Sequence, residues 1–278
     1  MFKVFPKKSR LKKVLIVLAS LGILMLILPI SMSIIFYIAS RLSKPANLGV
    51  AKAKGVELSK VKGQTVMLIG AHPDDADWYA GGTLAALHKN GNKVVIIVAT
   101  SGEKGGSEKN LGRTREQEQL KAAEYLQYDE VKFLRFKDRD LKDEVKLIPK
   151  LKSLIQEYKP KIIFTFDSEK EGYVYRHSDH KAAGAGALEA GKDFEDIDFY
   201  FFHSSKNNLI FDIEEVKDLK TKALGAHKSQ RRRSRFIRIL RYLPLNLFRS
   251  GRFESAGSAQ SFMSIGIEYG EMYRKASI

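Results

Sequence analysis

The chain contains no cysteine. That excludes disulfides, thiolate metal sites and a cysteine nucleophile, and leaves nitrogen and oxygen donors to hold any metal. Charge is missing from Val14 to Ala39, a run of 26 residues. Acidic residues are nearly missing from two segments: residues 1–62 carry twelve Lys/Arg and one Glu, and residues 228–252 carry nine Lys/Arg and no acid. The net charge is +16, so the rest of the chain is net negative. A nucleic-acid binder would place its basic stripe on the folded domain. Positive charge confined to two flanking segments suits a protein that faces a membrane instead, and no nucleic-acid partner is expected. No internal repeat is visible, and no GxGxxG follows the first apolar run, so a dinucleotide site is not indicated.

What is present accommodates one full α/β domain with something added: 278 residues, of which 44% are hydrophobic. The uncharged run 14–39 exceeds the roughly 20 residues that span hydrocarbon and predicts a transmembrane anchor. Six basic residues precede it (Lys3, Lys7, Lys8, Arg10, Lys12 and Lys13), and a sparser set follows, Arg41, Lys44, Lys52 and Lys54. The denser positive side stays inside. Residues 1–13 are therefore expected in the cytoplasm and the main domain outside the cell membrane. A cleaved signal peptide is the alternative, but its apolar core is only about 7–15 residues long. Residues 40–63, with Pro45 and scattered Lys and Gly, read as a linker to a domain over 64–278.

Beyond the linker the hydrophobic period alternates. Short apolar runs at 65–71, 93–99, 131–136, 161–166 and 198–202 read as strands, and 81–90, 113–127, 144–158 and 179–190 as helices. Strands alternating with helices of this length imply an α/β fold, a mostly parallel sheet covered on both faces. In such sheets ligands bind beyond the carboxyl ends of the strands, which points to the loops after Ala71, Ala99, Phe136 and Phe166.

Those loops hold the chemically useful residues. The first reads His72-Pro73-Asp74-Asp75. Adjacent aspartates in a loop point in different directions, so one can ligate a metal while the other faces a water; an ordinary Asp-rich turn is the alternative. The loop after the fourth strand reads Tyr175-Arg176-His177-Ser178-Asp179-His180. His177 and His180, three apart at a helix start, can face one side. Together with His72 and Asp75 they offer a facial set of donors with an open position, the pattern of a catalytic zinc site. Asp179 either orients a histidine or caps the helix.

The segments GAHPDDADWYAGGTLA, ATSGEKGG, LGRTREQEQLKAAEYL, RHSDH and KALGAHKSQ, in that order from about Thr65 to Gln230, resemble the LmbE/PIG-L family of zinc-dependent N-acetylglucosaminide deacetylases. A weaker echo lies at Glu268 to Arg274. The resemblance implies a Rossmann-like domain in which His72, Asp75 and His180 bind Zn2+, or another divalent metal. It makes Asp74 the general base and His177 the group near the reacting carbonyl, protonated to counter the oxyanion. Glu103 and Arg115 resemble the family's sugar-contacting positions, and Tyr175 could donate to the carbonyl. An Arg115–Glu118 pair at i, i+3 is the plain alternative for that helix start. The family often has Glu after HPDD; here Ala76 stands there, followed by Asp77.

Residues 228–252 (KSQRRRSRFIRILRYLPLNLFRSGR) put Phe236, Ile239, Leu240 and Leu243 on one helical face and Arg231, Arg235 and Arg238 away from it. A basic amphipathic helix of this kind reads as membrane-surface binding, a solvated core helix being the alternative. The combined expectation is a membrane-anchored hydrolase that removes the N-acetyl group from GlcNAc in a cell-envelope glycan or lipid-linked sugar. A deacetylase of a small soluble glycoside and an inactive sugar-binding module are the rival readings.

Overall fold

The computed structural model describes residues 41–173, 177–232 and 258–276, together with residues 12, 13, 16–20, 27, 31, 34, 35, 38 and 39. The chain divides into two compact units, Met1–Leu42 and Ser43–Ile278. The expected anchor over 14–39 and the basic segment beyond Arg232 lie largely outside the described residues. Among the described residues no helix is long and apolar enough to cross a membrane.

The second unit runs α1 (Leu48–Ser59), β1 (Thr65–Gly70), α2 (Asp75–Lys89), β2 (Lys93–Thr100), α3 (Leu111–Leu126), β3 (Glu130–Phe136), α4 (Leu147–Tyr158), β4 (Ile162–Phe166) and α5 (Ser178–Gly191). It continues with β5 (Asp198–Phe202), β6 (Leu209–Asp212), α6 (Lys217–Ala226), the short α7 (Lys228–Arg232), β7 (Gln260–Phe262) and β8 (Ile267–Ala276). The sheet order is β3-β2-β1-β4-β5-β8-β6, with β7 also paired to β8. The first five strands are mutually parallel. β8 enters antiparallel between β5 and β6.

The central strands are apolar along their whole length because both faces are covered: β1 is buried from Val66 to Gly70 and β2 from Val94 to Thr100. Helices α2, α3 and α6 pack together, and α4 packs on α5. The chain leaves β1 toward β2 on one side and later returns to add β4 on the other. β1 and β4 therefore flank the switch point of the sheet, the place at the strands' carboxyl ends where sheets of this kind bind ligands.

The stretch 40–63 is not a plain linker. Asn47 caps α1, its side chain accepting from the Val50 N–H at 3.0 Å. Ala51, Gly55 and Leu58 are the helix's buried residues, and α1 packs against β6. A Cβ on Gly55 would overlap the carbonyl of Ile210, so the contact requires a residue of low helix propensity. Helix α2 also begins earlier than the periodicity predicts, at Asp75 instead of 81, which places Asp75 and Asp77 in its first turn. Asp and Glu are favoured there by the helix dipole.

Candidate functional site

At the carboxyl ends of β1 and β4, His72 follows β1, and His180 lies in the first turn of α5, the helix reached from β4 through the loop 167–177. Their ring nitrogens, Nδ1 of His72 and Nε2 of His180, are 3.3 Å apart. Asp75 completes a triangle, with Oδ1 at 3.3 Å from His180 Nε2 and Oδ2 at 3.7 Å from His72 Nδ1. All three residues are buried. Oδ2 of Asp75 also accepts from the backbone N–H groups of Ala71 and His72 at 2.9 and 2.8 Å, which leaves Oδ1 as the oxygen free to ligate. Burial works against the Asp75 carboxylate, but His180, His72 and the His72 N–H hold its pKa well below the usual range.

The other nitrogen of His72, Nε2, meets Asp138 Oδ1 at 3.3 Å and Asp179 Oδ2 at 3.5 Å. Burial disfavours an imidazolium here, yet Asp138, Asp179, Asp75 and Asp74 outweigh it and push the His72 pKa up to about 10. The cluster thus carries more negative charge than its own side chains neutralise, and it favours a cation. A divalent ion fits two sides of this triangle: bonds of about 2.0–2.1 Å in a tetrahedral array separate donors by roughly 3.4 Å, the spacing of His72 Nδ1 from His180 Nε2 and of His180 Nε2 from Asp75 Oδ1. Asp138 and Asp179 would then hold the far nitrogen of a ligating histidine, fixing its tautomer. Two trios of donors lie within 4.8 Å of one another, His72-His177-His180 and His72-Asp138-Asp179.

Asp74, 29% exposed at its side chain, borders this cluster. Its backbone has φ 110°, a left-handed conformation that costs a non-glycine residue energy. Three contacts hold it: the Asp74 N–H donates to Gln119 Oε1 at 2.8 Å, Arg115 Nη2 donates to Asp74 Oδ1 at 3.1 Å, and the same Nη2 donates to the Pro73 carbonyl at 2.6 Å. Burial raises the Asp74 pKa; Arg115 pulls it down, and the neighbouring Asp75 adds to the rise.

His177 caps α5, its side chain accepting from the Asp179 N–H at 3.2 Å through Nδ1. A nitrogen that accepts carries no proton, so the ring's proton sits on Nε2. Burial, His72 and His180 lower the His177 pKa. From the sequence a protonated ring is expected near the reacting carbonyl; with Nδ1 accepting from Asp179, the N–H that the ring offers is the one on Nε2. Asp179 is not the capping side chain. It accepts from the Arg139 N–H at 2.6 Å and faces His72.

Arg115 is buried against the loop instead of facing open space. It also donates to the Gly102 carbonyl at 3.1 Å, where φ is +62° and a Cβ would overlap the guanidinium. The i, i+3 alternative is not realised, because Glu118 accepts from the N–H and hydroxyl of Ser229 at 2.8 and 2.7 Å. Glu103 accepts from the Asp138 N–H at 2.9 Å, so it anchors the loop that carries Asp138. Tyr175 lies outside the described residues. Asp138, Gln119 and His227 were not singled out by the sequence, although Asp138 lies just past β3, where the strand-end rule points.

A sequence profile described as PIG-L, GlcNAc-PI de-N-acetylase, matches residues 67–191. A probable N-acetyl-alpha-D-glucosaminyl L-malate deacetylase 2 of Bacillus cereus is 30% identical over 189 residues, covering 59% of this chain and 83% of the relative. The chain belongs to the PIG-L family. A second PIG-L relative, the diacetylchitobiose deacetylase of Thermococcus kodakarensis, is 28% identical over 191 residues, covering 59% and 69%. Among solved structures, the N,N'-diacetylchitobiose deacetylase of Pyrococcus horikoshii aligns with TM-score 0.63 at 23% identity, over 77% of this chain and 84% of that one. That likeness supports the PIG-L fold, with its central sheet and covering helices.

Proposed function

We propose that this protein is a metal-dependent deacetylase that hydrolyses the N-acetyl amide of a GlcNAc unit in a lipid-linked sugar or envelope glycan. The observation that carries the reading is the placement of the Asp74 carboxylate, held by Arg115, beside a buried triangle of donors from His72, Asp75 and His180. The B. cereus and T. kodakarensis relatives, both named as deacetylases of acetylated glucosamine compounds, support the substrate class.

His72, Asp75 and His180 would hold the metal, zinc being the ion best suited to two imidazoles and a carboxylate. Bound there, it supplies Lewis-acid polarisation of the amide carbonyl and acidifies a water. Asp74 takes the proton of the water that adds to the carbonyl carbon. The His177 Nε2–H donates to the carbonyl oxygen as it gains negative charge. When the C–N bond breaks, Asp74 returns its proton to the departing amine, so acetate and a free amino sugar result. A carboxyl group of raised pKa suits both halves of that task, since it binds a proton more readily than an ordinary aspartate and can still release it.

Residues 14–39 as an anchor, with the catalytic unit outside the cytoplasmic membrane and 228–252 against its surface, would keep the site near lipid-linked sugars. The charge distribution of the sequence supports this placement. The test is deacetylation by purified protein across GlcNAc lipids and oligosaccharides, with metal analysis alongside. Asp74→Asn should keep its metal and lose at least about a hundredfold in turnover. Ala at His72, Asp75 or His180 should lower the metal content. Activity that survives chelation in metal-free protein would overturn the reading.

A further inference from the structure

Behind Asp74 lies a buried polar cluster that the chemistry above leaves without a role. Asp77 is fully buried and accepts three hydrogen bonds: from Gln119 Nε2 at 2.9 Å, from the Tyr128 hydroxyl at 3.0 Å and from His227 Nε2 at 2.7 Å. Gln119 is fully buried and His227 nearly so, and His227 Nδ1 has no hydrogen-bond partner among the described residues. These residues come from α2, α3, the chain just after α3, and the turn between α6 and α7. All four meet at one carboxylate.

The chemistry of Gln119 gives the cluster a direction. A carboxamide presents an acceptor on one side and a donor on the other. The Asp77 oxygens accept from the Tyr128 hydroxyl and meet His227 Nε2, and Oδ2 accepts from Gln119 Nε2, so it is the NH2 of Gln119 that faces Asp77. The carbonyl oxygen of Gln119 is thereby turned toward the Asp74 N–H, which it accepts at 2.8 Å. With the amide reversed, donor would face donor at Asp74, and acceptor would face acceptor at Asp77. The Asp74 N–H belongs to the residue held at φ 110°, a conformation that persists only where its surroundings enforce it.

We propose that Asp77 is a positioning residue for the base: its acceptor oxygen sets the orientation of Gln119, and Gln119 in turn fixes the strained backbone of Asp74. His227 and Tyr128 complete the Asp77 carboxylate, which would otherwise be buried with unmet acceptor capacity. None of the four touches the donors of the metal triangle in the contacts described above. This role rests on the proposed assignment of Asp74 as base, but the hydrogen-bond polarity stands on geometry alone and can be read without turnover.

The decisive experiment is a polarity swap in the full chain. Asp77→Asn offers an NH2 toward Gln119, which removes the reason for its orientation. Gln119→Glu keeps an acceptor for Asp74 but sets two carboxylates together. Each single variant should lower kcat about ten- to hundredfold, the scale of a lost buried hydrogen bond to a charged group, with KM and metal content little changed. In the double variant, Asp77→Asn with Gln119→Glu, the carboxamide now at position 77 donates to the carboxylate now at position 119 and to the tautomerised His227 Nε2. That carboxylate again accepts from the Asp74 N–H. The double variant should recover most of kcat. Hydrogen exchange at the Asp74 amide should follow the same order: fast in each single variant, slow again in the double. Exchange that is unchanged in the single variants, or not restored in the double, would refute the positioning role. If the exchange pattern holds while the wild-type protein deacetylates no GlcNAc compound, the functional reading falls and the positioning of Asp74 remains.

Discussion

Glu271 and Lys220 form a charge pair with no solvent exposure on either side chain. Replacing Glu271 by Gln tests what that pair does for the fold. Oε1 of Glu271 accepts from Lys220 Nζ and from the Gly82 N–H at 3.1 Å. Oε2 accepts from the Thr83 N–H at 2.8 Å, the Thr83 hydroxyl at 2.7 Å and the Tyr273 hydroxyl at 2.9 Å. A glutamine can put its oxygen on only one of these sides. Its NH2 must then confront donors on the other, and the Lys220 ammonium is left buried without the counter-charge it meets here. Breaking one partner of a buried pair costs about 3–5 kcal/mol. For a domain of about 150–250 residues each kcal/mol lowers Tm by roughly 2–4 °C, so Tm should fall by roughly 6–20 °C. Thermal unfolding followed by circular dichroism reads this directly. Lys220→Met combined with Glu271→Gln should be milder than Glu271→Gln alone, because no unpaired charge remains. A single variant within about 1 kcal/mol of wild type would show that Lys220 finds another partner and that the reasoning fails.

Three further outcomes are expected. Arg115 lowers the pKa of Asp74 while burial raises it; since the base must be ionised, kcat/KM should fall as pH drops through a value above that of an ordinary aspartate. Arg115→Gln should move that acid limb to higher pH, and a pH–rate profile whose limb stays put or moves down would contradict the assignment. Gly55→Ala should destabilise the fold by about 1–3 kcal/mol, because its Cβ meets the Ile210 carbonyl in a packed contact; urea denaturation measures it. Replacing Arg231, Arg232, Arg233 and Arg235 by Gln should weaken binding to anionic vesicles by up to about 1 kcal/mol per arginine, less at high salt. An unchanged vesicle affinity in a flotation assay would remove the basic segment from the membrane.

The parallel core was legible because strands buried on both faces write themselves as uninterrupted apolar runs. TVMLIG and KVVIIVA could be bounded to within a residue or two. Helix α1 was not legible: its buried side rests on Ala51, Gly55 and Leu58, and a stripe with a glycine at its centre gives almost no hydrophobic period. The C-terminal strands escaped for another reason. β8 reads IEYGEMYRKA, where Glu271 is inward-facing and buried, so the charge that locks the strand also hides it. At the site, HPDD and HSDH, at two strand ends, were where the sequence pointed, and the structure brings His72, Asp75, His177 and His180 together with Asp74 beside them. What spacing could not supply was direction. Arg115 and Glu103 resemble sugar-contacting positions, and the structure adds a bracing role for each: Arg115 holds Asp74 and Glu103 holds the Asp138 loop. One partner of Asp77 lies 150 positions away at His227, beyond any local pattern.

The insertion of β8 between β5 and β6 has a consequence for the order in which the protein comes into being. A chain emerges from the ribosome N-terminus first, and every donor near the metal triangle has been made by about residue 180. The carboxylate of Glu271, which reaches the Gly82 and Thr83 amides of α2, is made some ninety residues later. So is Arg274, whose guanidinium grips Asp167 at 2.6 and 2.8 Å at the root of the loop leading to His177. Until β8 is synthesised and threaded into place, β5 and β6 each present an unpaired edge, and the site residues lack their final brace. The nascent polypeptide therefore passes through an interval with the His72, Asp75 and His180 cluster translated and its scaffold unfinished, a window in which edge-to-edge association competes with folding. Maturation of the site is timed by the last strand of the sheet, not by the synthesis of the residues that form it.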